Sequence, residues 1–144
     1  MGRLPVGMAR SSWHSICTVS EDEVIQTVRR HFESLFPKVC PNCGRRFDTL
    51  RDYILVTRRI GLTKSYDAEL GEWKTTQPIG SVAMANCPCG STLALTTEGM
   101  MLSKRLALLE WVRVETGRRG TSPTEILEHL RDKVREQVLE ESNE

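Results

Sequence analysis

Two short cysteine pairs are the residues of this sequence best suited to chemistry. Cys40 and Cys43 lie in Cys-Pro-Asn-Cys-Gly, and Cys87 and Cys89 lie in Cys-Pro-Cys-Gly. The 43 residues from 44 to 86 contain neither cysteine nor histidine. Two tight pairs of thiolates can close a tetrahedral metal site. The spacing therefore predicts that these four cysteines bind one metal ion and tie the intervening chain into a loop.

Each pair also carries residues that favour a sharp turn. Pro41 fixes its own φ angle inside the first pair. Gly44 follows the second sulfur, where a positive φ lets backbone N–H groups approach the thiolates. The second pair repeats the proline and the glycine, but a single residue separates its two sulfurs. This shorter pair can still chelate one ion, with less room for both sulfurs in the same turn.

These motifs resemble those of the zinc-ribbon family, which carries Cys-Pro-x-Cys-Gly knuckles on neighbouring hairpins. The resemblance covers roughly residues 39–96. It implies a zinc ribbon with Cys40, Cys43, Cys87 and Cys89 as the ligands of Zn²⁺. A rubredoxin-like iron site uses similar knuckles, but the short second pair and the lack of a companion redox motif favour zinc. Because four thiolates leave no open coordination position, such a site stabilises the fold rather than catalysing a reaction.

A histidine and a fifth cysteine near the N-terminus leave an alternative ligand set open. His14 and Cys17 are spaced like a metal-binding pair, so either could replace a ligand of the short knuckle. The simpler interpretation is a lone histidine beside a spare thiol. His31 is interpreted in the same way as a surface residue of a helix rather than a ligand.

Length and composition describe one domain with a modest core. The chain has 144 residues, of which 39% are hydrophobic. Its apolar runs are too short for a transmembrane helix, and its first residues lack the apolar stretch of a signal peptide. With four of five cysteines in the two knuckles, the pattern indicates a reducing compartment rather than a disulfide scaffold. We therefore expect a cytoplasmic protein with no membrane partner.

Periodicity and turn signals predict an α+β domain over residues 20–144, preceded by an irregular arm at residues 1–19. A helix is expected over 20–37, a small three-stranded antiparallel zinc ribbon over 38–97, and a C-terminal helical pair over 100–141. The three strands of the ribbon are predicted at residues 53–60, 79–85 and 92–96. Residues 66–76 are predicted to form a polar loop.

Capping signals define the predicted helix ends. Ser20 and Glu23 form a capping box, as do Ser122 and Glu125 in the last helix. Gly117 is expected to end the helix between them as a C′ glycine.

The charges of the chain are unevenly distributed although its net charge is only +1. Residues 38–64 carry seven bases against two acids, and residues 121–144 carry seven acids against three bases. The acidic last helix could lie against the basic ribbon, or the basic ribbon could contact nucleic acid or a protein partner. The candidate contact residues are Arg45, Arg46, Arg51, Arg58 and Arg59.

An apolar stripe on the last helix leaves two interpretations open. Ile126, Leu130, Val134 and Val138 recur about every fourth residue and share one helix face. This stripe either fills the core of the domain or docks a protein partner, including a second copy of the chain in a homodimer.

The sequence lacks the motifs of common enzyme classes. It has no glycine-rich phosphate loop, no Gly-x-Ser-x-Gly elbow and no His-Glu-x-x-His. We therefore expect no enzyme and no small-molecule substrate.

The favoured function is a non-catalytic zinc-binding protein that acts as a protein-interaction or regulatory module. One alternative is a nucleic-acid-binding transcriptional regulator that uses the basic ribbon face or a C-terminal helix-turn-helix. A second alternative is a thiol-based redox switch in which oxidation releases the metal, with Cys17 as a resolving thiol.

Overall fold

The structure is a computed structural model that describes residues 19–141. Within this range the chain forms helices and antiparallel strands, which confirms the predicted α+β class. No helix of the described range is long and apolar enough to cross a membrane. The elements in chain order are α1 (Glu21–Glu33), β1 (Lys38–Val39), β2 (Arg46–Phe47), α2 (Leu50–Val56), β3 (Arg58–Ser65), α3 (Tyr66–Glu69), β4 (Ser81–Asn86), β5 (Thr92–Thr96), α4 (Leu102–Arg119) and α5 (Pro123–Glu141).

Helix α1 begins at the predicted capping box. The Ser20 hydroxyl accepts a hydrogen bond from the backbone N–H of Glu23, whose carboxylate accepts one from the N–H of Ser20. Val24, Ile25 and Val28 form its buried face. The helix ends at Glu33, a few residues before the predicted end at Pro37.

Helix α2 occupies part of the segment that was predicted to be a strand over 53–60, so that prediction is wrong for residues 53–56. Thr49 caps the helix by accepting a hydrogen bond from the backbone N–H of Asp52. Leu50 and Tyr53, three residues apart, are both buried on one helix face. The cap and this spacing outweigh the strand preference of the β-branched residues, and the strand begins only at Arg58.

The strands form two separate antiparallel sheets rather than one ribbon. β1 pairs with β2, and β4 lies between β3 and β5 in a three-stranded sheet. The first cysteine knuckle lies in the β1–β2 hairpin, whereas the second lies between β4 and β5. The expectation of three strands that carry both knuckles is therefore corrected: the three-stranded sheet exists, but it carries only the second knuckle.

The segment between β3 and β4, predicted as a polar loop, opens with the short helix α3. Asp67 in this helix is only 3% exposed. Its carboxylate accepts hydrogen bonds from the backbone N–H groups of Ile79 and Gly80, each at 2.9 Å. One buried carboxylate thus fastens the end of the loop to its beginning. Strand β4 starts directly after Gly80.

Helix α4 does not end at Gly117, as the sequence suggested. It continues to Arg119, and Gly120 adopts the left-handed conformation with φ of 68°. Glu115 pairs with Arg118 at 2.6 Å and with Arg119 at 2.7 Å, which supports the added turn. Helix α5 then begins at the predicted capping box of Ser122 and Glu125.

Helix α5 lies at the centre of the fold, against the three-stranded sheet and helices α1, α2 and α4. Its apolar stripe faces inward: Ile126, Leu130, Val134 and Val138 are 2–4% exposed. In this fold the stripe forms core, and a partner or a second copy could bind it only by displacing that core.

Candidate metal centre

The four knuckle cysteines come together as the sequence predicts. Their sulfur atoms all lie within 4.8 Å of one another. The Cys40–Cys89 sulfur pair is separated by 3.8 Å and the Cys43–Cys87 pair by 3.6 Å. A tetrahedral site with metal–sulfur bonds of about 2.3 Å places its sulfurs roughly 3.8 Å apart. These two separations therefore match a four-thiolate metal site and are far too long for a disulfide.

The first knuckle is built by the β1–β2 hairpin. The backbone N–H of Cys40 donates to the carbonyl of Arg45, and that of Gly44 donates to the carbonyl of Cys40, both at 2.9 Å. Gly44 has a φ of 79°, which a residue with a side chain rarely adopts. This turn places the sulfurs of Cys40 and Cys43 on the same side of the hairpin end.

The second knuckle makes an equivalent turn despite its shorter spacing. The backbone N–H of Cys87 donates to the carbonyl of Ser91, and that of Gly90 donates to the carbonyl of Cys87, both at 2.8 Å. Gly90 has a φ of 97°. The Cys-x-Cys spacing is therefore compatible with both sulfurs joining the cluster.

Each knuckle contributes one buried and one exposed cysteine. Cys40 is 0% exposed and Cys87 is 2% exposed, and both pack within the hydrophobic core. Cys43 and Cys89 are exposed. The cluster thus lies at the edge of the core, half embedded in it.

Hydrogen-bond donors around Cys89 favour its thiolate. The Asn42 side-chain amide lies 3.4 Å from the Cys89 sulfur. Asn42 and then Ser91 lower the pKa of the Cys89 thiol to about 5, because their donors stabilise the charged form. Sequence reasoning missed both residues, although they occupy positions inside one knuckle and just after the other, where donors to sulfur are expected.

The surroundings of the two buried thiols shift their pKa values in opposite directions. The backbone N–H groups of Cys43 and then Asn42 lower the pKa of Cys40, against the opposing effect of burial. For Cys87, the backbone N–H of Cys89 favours the thiolate, but burial and the neighbouring thiols outweigh it and raise the pKa to about 11. A bound cation would favour the thiolate form of all four cysteines, so metal binding would release protons.

The other candidate ligands lie elsewhere. The ring nitrogen Nε2 of His31 is 2.9 Å from the carbonyl oxygen of Thr96, so His31 contacts β5 rather than the sulfurs. His14 and Cys17 lie outside the described residues, and whether either replaces a ligand stays a prediction.

The five candidate contact arginines do not form one uniform basic surface. Arg46 pairs with Asp48 at 2.6 Å. Arg59 pairs with Asp132 at 2.7 Å, which brings the acidic last helix against the three-stranded sheet. Among the remaining three, Arg51 is partly buried, whereas Arg45 and Arg58 are exposed.

Comparison of the chain with models of known protein families, with curated proteins and with solved structures gives no match. The likeness to zinc ribbons therefore rests on the cysteine cluster and the two glycine turns that form it.

Proposed function

We propose that this protein is a non-catalytic zinc-binding module in which the metal holds together two parts of the fold. The observation that carries the proposal is the arrangement of four cysteine sulfurs within 4.8 Å of one another. Thiolates are soft ligands that select zinc, copper(I) or iron–sulfur chemistry over hard cations. Zinc suits a closed tetrahedral set of four sulfurs and undergoes no redox change.

The position of the cluster supports a structural role for the metal. Cys40 and Cys43 belong to the β1–β2 hairpin, whereas Cys87 and Cys89 join β4 to β5. The Cys40–Cys89 and Cys43–Cys87 sulfur pairs and the Asn42–Cys89 hydrogen bond join these hairpins. A bound ion would cross-link the small hairpin to the main sheet. Because an unfolded chain offers no such site, the free energy of metal binding would add to the stability of the fold.

The module would act by binding a protein partner, and the hairpin of the first knuckle is the surface that supports this role. Since the stripe of α5 is core, an interface must lie elsewhere. Val39 on β1 is 51% exposed, and Arg45 and Arg46 beside it are also exposed. Metal binding would hold this mixed apolar and basic hairpin in place. The reduced thiols that zinc requires support a cytoplasmic location.

Elemental analysis of protein purified without added metal tests the metal proposal. We expect one zinc per chain, together with a lower free energy of unfolding when a chelator removes it. Iron, or no metal in a chain that still folds, would contradict the proposal. A matched pair of variants, Cys43→Ser and the exposed Ser103→Ala, separates loss of a ligand from loss of any small polar side chain.

The binding role is tested separately with the zinc-loaded chain. Affinity capture with the wild type and a Val39→Glu, Arg45→Glu double variant should differ in at least one retained protein. Fluorescence polarisation with DNA and RNA oligonucleotides runs in parallel. Retention of nucleic acid that depends on Arg45 and Arg58 would favour a nucleic-acid-binding regulator instead.

Exposure of Cys43 and Cys89 favours a thiol switch as the second candidate function. Hydrogen peroxide, with two protons from solvent, would take two electrons from this thiolate pair, so that a disulfide and two water molecules form and zinc is released. Zinc release measured with a chromogenic chelator, reversed by a thiol reductant, is the expected signature. A cluster that keeps its zinc under peroxide is a permanent structural site.

A further inference from the structure

The three-stranded sheet has one face in the core and one face turned to solvent. Ala85, Leu93 and Leu95 on the inner face belong to the hydrophobic core and are 2–6% exposed. Residues paired directly across antiparallel strands point to the same side of a sheet, so the strand registers define the outer face. Nine residues of the outer face, all exposed or half-buried, form three rows across the strands: Arg58, Asn86 and Thr92; Ile60, Met84 and Ala94; and Lys64, Val82 and Thr96. We call this surface the open face.

The middle of the open face is apolar, although the solvent-facing side of an antiparallel sheet usually carries polar residues. Ile60, Met84 and Ala94 form an apolar row that crosses all three strands, and Val82 extends it along β4. Met84 is 37% exposed, and Ala94 is also exposed. A contiguous apolar patch on a solvent-facing surface is a feature of protein interaction sites. The open face therefore has the composition of a docking surface.

Both ends of the open face are basic. Arg58 and Lys64 flank the apolar row on β3, and neither forms an ion pair with another residue of the range 19–141. None of the nine open-face residues is acidic. The residues that pair with these two on β4, Asn86 and Val82, are four positions apart. The two cations are therefore anchored about 13 Å apart along the sheet. A molecule that covers the open face should carry negative charge at both ends of an apolar segment.

Charge argues against the occupants that the chain itself could supply. Residues 1–18 contain two arginines and no acid, so they do not complement a basic surface. A second copy would bring the same two cations if two open faces met. The acidic helix α5 of a second copy could not supply the apolar contact, because its apolar stripe is 2–4% exposed in the core. Nucleic acid would find no aromatic side chain among the nine residues to stack against. The remaining occupant is a segment of another protein that is both acidic and apolar.

The shape of the open face favours a helical segment. A sheet presents side chains on its faces, whereas its backbone N–H and C=O groups point toward neighbouring strands. An extended segment laid on the apolar row would therefore leave its own backbone groups without partners. A helix satisfies these groups internally and can turn an apolar stripe toward the row.

We propose that the open face binds an acidic amphipathic helix of a partner protein. The apolar stripe of that helix packs on the row of Ile60, Met84 and Ala94. Acidic residues near its two ends pair with Arg58 and Lys64, and these contacts fix its orientation on the sheet. This inference rests on the proposed protein-binding role, and it names a partner class and a second surface, separate from the hairpin of the first knuckle.

Nuclear magnetic resonance titration of the full-length, ¹⁵N-labelled chain as purified tests this assignment. The probe is a synthetic helical peptide of about 14 residues, roughly 20 Å long, with leucines along one stripe and glutamates near both ends. We expect saturable shifts in the amide signals of β3, β4 and β5. A peptide with lysines in place of the glutamates should bind at least about tenfold more weakly at the same ionic strength. A peptide of the same composition with its leucines distributed around the helix should be weakened to a similar extent.

Variants identify the surface. Met84→Lys places a charge in the middle of the apolar row and should weaken binding of the acidic peptide at least about tenfold. The double variant Arg58→Glu, Lys64→Glu should lose the acidic peptide and gain affinity for the lysine peptide, an exchange that a merely destabilised chain would not show. The hairpin variant Val39→Glu, Arg45→Glu is the matched control and should bind the acidic peptide as the wild type does.

Three results would overturn the assignment. The first is the absence of saturable shifts in the strand signals with the acidic peptide. The second is equal affinity for the glutamate and lysine peptides, and the third is unchanged affinity in the folded Met84→Lys variant. Loss of peptide binding only in the hairpin variant would move the contact to the first knuckle, which rejects the open face but keeps the proposed binding role. Tighter binding of an oligonucleotide than of the acidic peptide, dependent on Arg58 and Lys64, would replace the partner helix with nucleic acid.

Discussion

The side-chain amide nitrogen of Asn42 lies 3.4 Å from the sulfur of Cys89, so a residue inside the first knuckle donates to a ligand of the second. This contact helps the shorter knuckle, because it orients a sulfur that has only one residue between it and its neighbour. Outer-shell donors of this kind are commonly worth about 10-fold to 100-fold in metal affinity.

Asn42→Ala should therefore weaken zinc binding by about tenfold at fixed pH, without loss of the fold. Competition with a chromogenic chelator measures the affinity. Gln77→Ala, which removes a surface amide far from the sulfurs in sequence, is the matched control and should bind zinc as the wild type does. Equal affinity in both variants would show that the Asn42 contact does not tune the metal.

In the metal-free chain, replacing a buried cysteine should lower the free energy of unfolding more than replacing an exposed one. Cys40 packs within the core, so Cys40→Ser replaces a buried apolar atom by a hydroxyl and should cost about 1–3 kcal/mol even in excess chelator. Cys43 is exposed, and Cys43→Ser should change the unfolding free energy of the metal-free chain by less than about 0.5 kcal/mol. Urea unfolding with and without chelator measures both. If the two metal-free variants unfold alike, the core role of Cys40 is wrong.

The sequence was most informative where a local signal determines a local structure. The capping boxes at Ser20 and Ser122 predicted two helix starts, and the paired cysteines predicted the sulfur cluster. It was least informative where two local preferences competed. At residues 53–56 the Thr49 cap outweighed the strand preference of the β-branched residues. Helix α4 continues beyond Gly117 because the ion pairs of Glu115 support a further turn.

Apart from the sulfur cluster, contacts between distant segments were not determined by the sequence. The contact between α2 and α5 depends on how both helices lie against the sheet, and part of α2 was predicted as a strand. The apolar stripe of α5 was identified correctly, but the sequence could not decide between core and interface, because both require the same spacing. Only the packing of the other elements around α5 places that stripe inside.

Glu128 should be important for stability because its carboxylate accepts hydrogen bonds from an irregular part of strand β3. The register of β3 against β4 shifts between Ile60 and Lys64. The backbone N–H of Thr63 within this shift donates to the Glu128 carboxylate at 2.7 Å, and the Thr63 hydroxyl donates to the same oxygen. Glu128→Ala should lower the free energy of unfolding by about 2–3 kcal/mol, because a buried donor loses a charged acceptor.

Asp132→Ala is the control for Glu128→Ala. Asp132 pairs with Arg59, but its side chain is 53% exposed. Its removal should cost less than about 1 kcal/mol. Denaturant unfolding of both variants measures the difference, and a larger effect at Asp132 would contradict the assigned role of Glu128.

Gly80 should tolerate no side chain. Its φ is 119°, and an added Cβ would lie 2.7 Å from the Thr97 hydroxyl oxygen, which is itself bonded to the N–H of Ser81. Gly80→Ala should therefore destabilise the chain by more than about 2 kcal/mol. Gly71→Ala also faces a positive φ, of 74°, but has open space around its Cβ. It should cost about 1 kcal/mol. Similar melting temperatures for both variants would show that the Thr97 contact is relieved at no cost.

Glu115 should make stability depend on pH in the acidic range. It is 7% exposed and lies between Arg118 and Arg119, the second of which also pairs with Glu21 of α1 at 2.8 Å. The guanidinium of Arg118, followed by that of Arg119, lowers the pKa of Glu115 below its ordinary value of 4.5, against the opposing effect of burial. A carboxyl whose pKa is depressed on folding stabilises the fold at pH values above its unfolded pKa, and this contribution is lost as the pH falls through the folded pKa.

Glu115→Gln should therefore lower the free energy of unfolding by about 1 kcal/mol at pH 7. The difference between wild type and variant should begin to shrink below about pH 4.5, where the unfolded wild-type chain takes up a proton on this carboxyl. It should disappear once the pH falls below the depressed pKa of the folded carboxyl. Metal loss at low pH affects both chains alike, so the difference between them isolates this carboxyl. Glu98→Gln, at an exposed position, should have the same free energy of unfolding as the wild type at every pH. A difference at Glu115 that stays constant from pH 7 to pH 3 would assign its effect to packing rather than to charge.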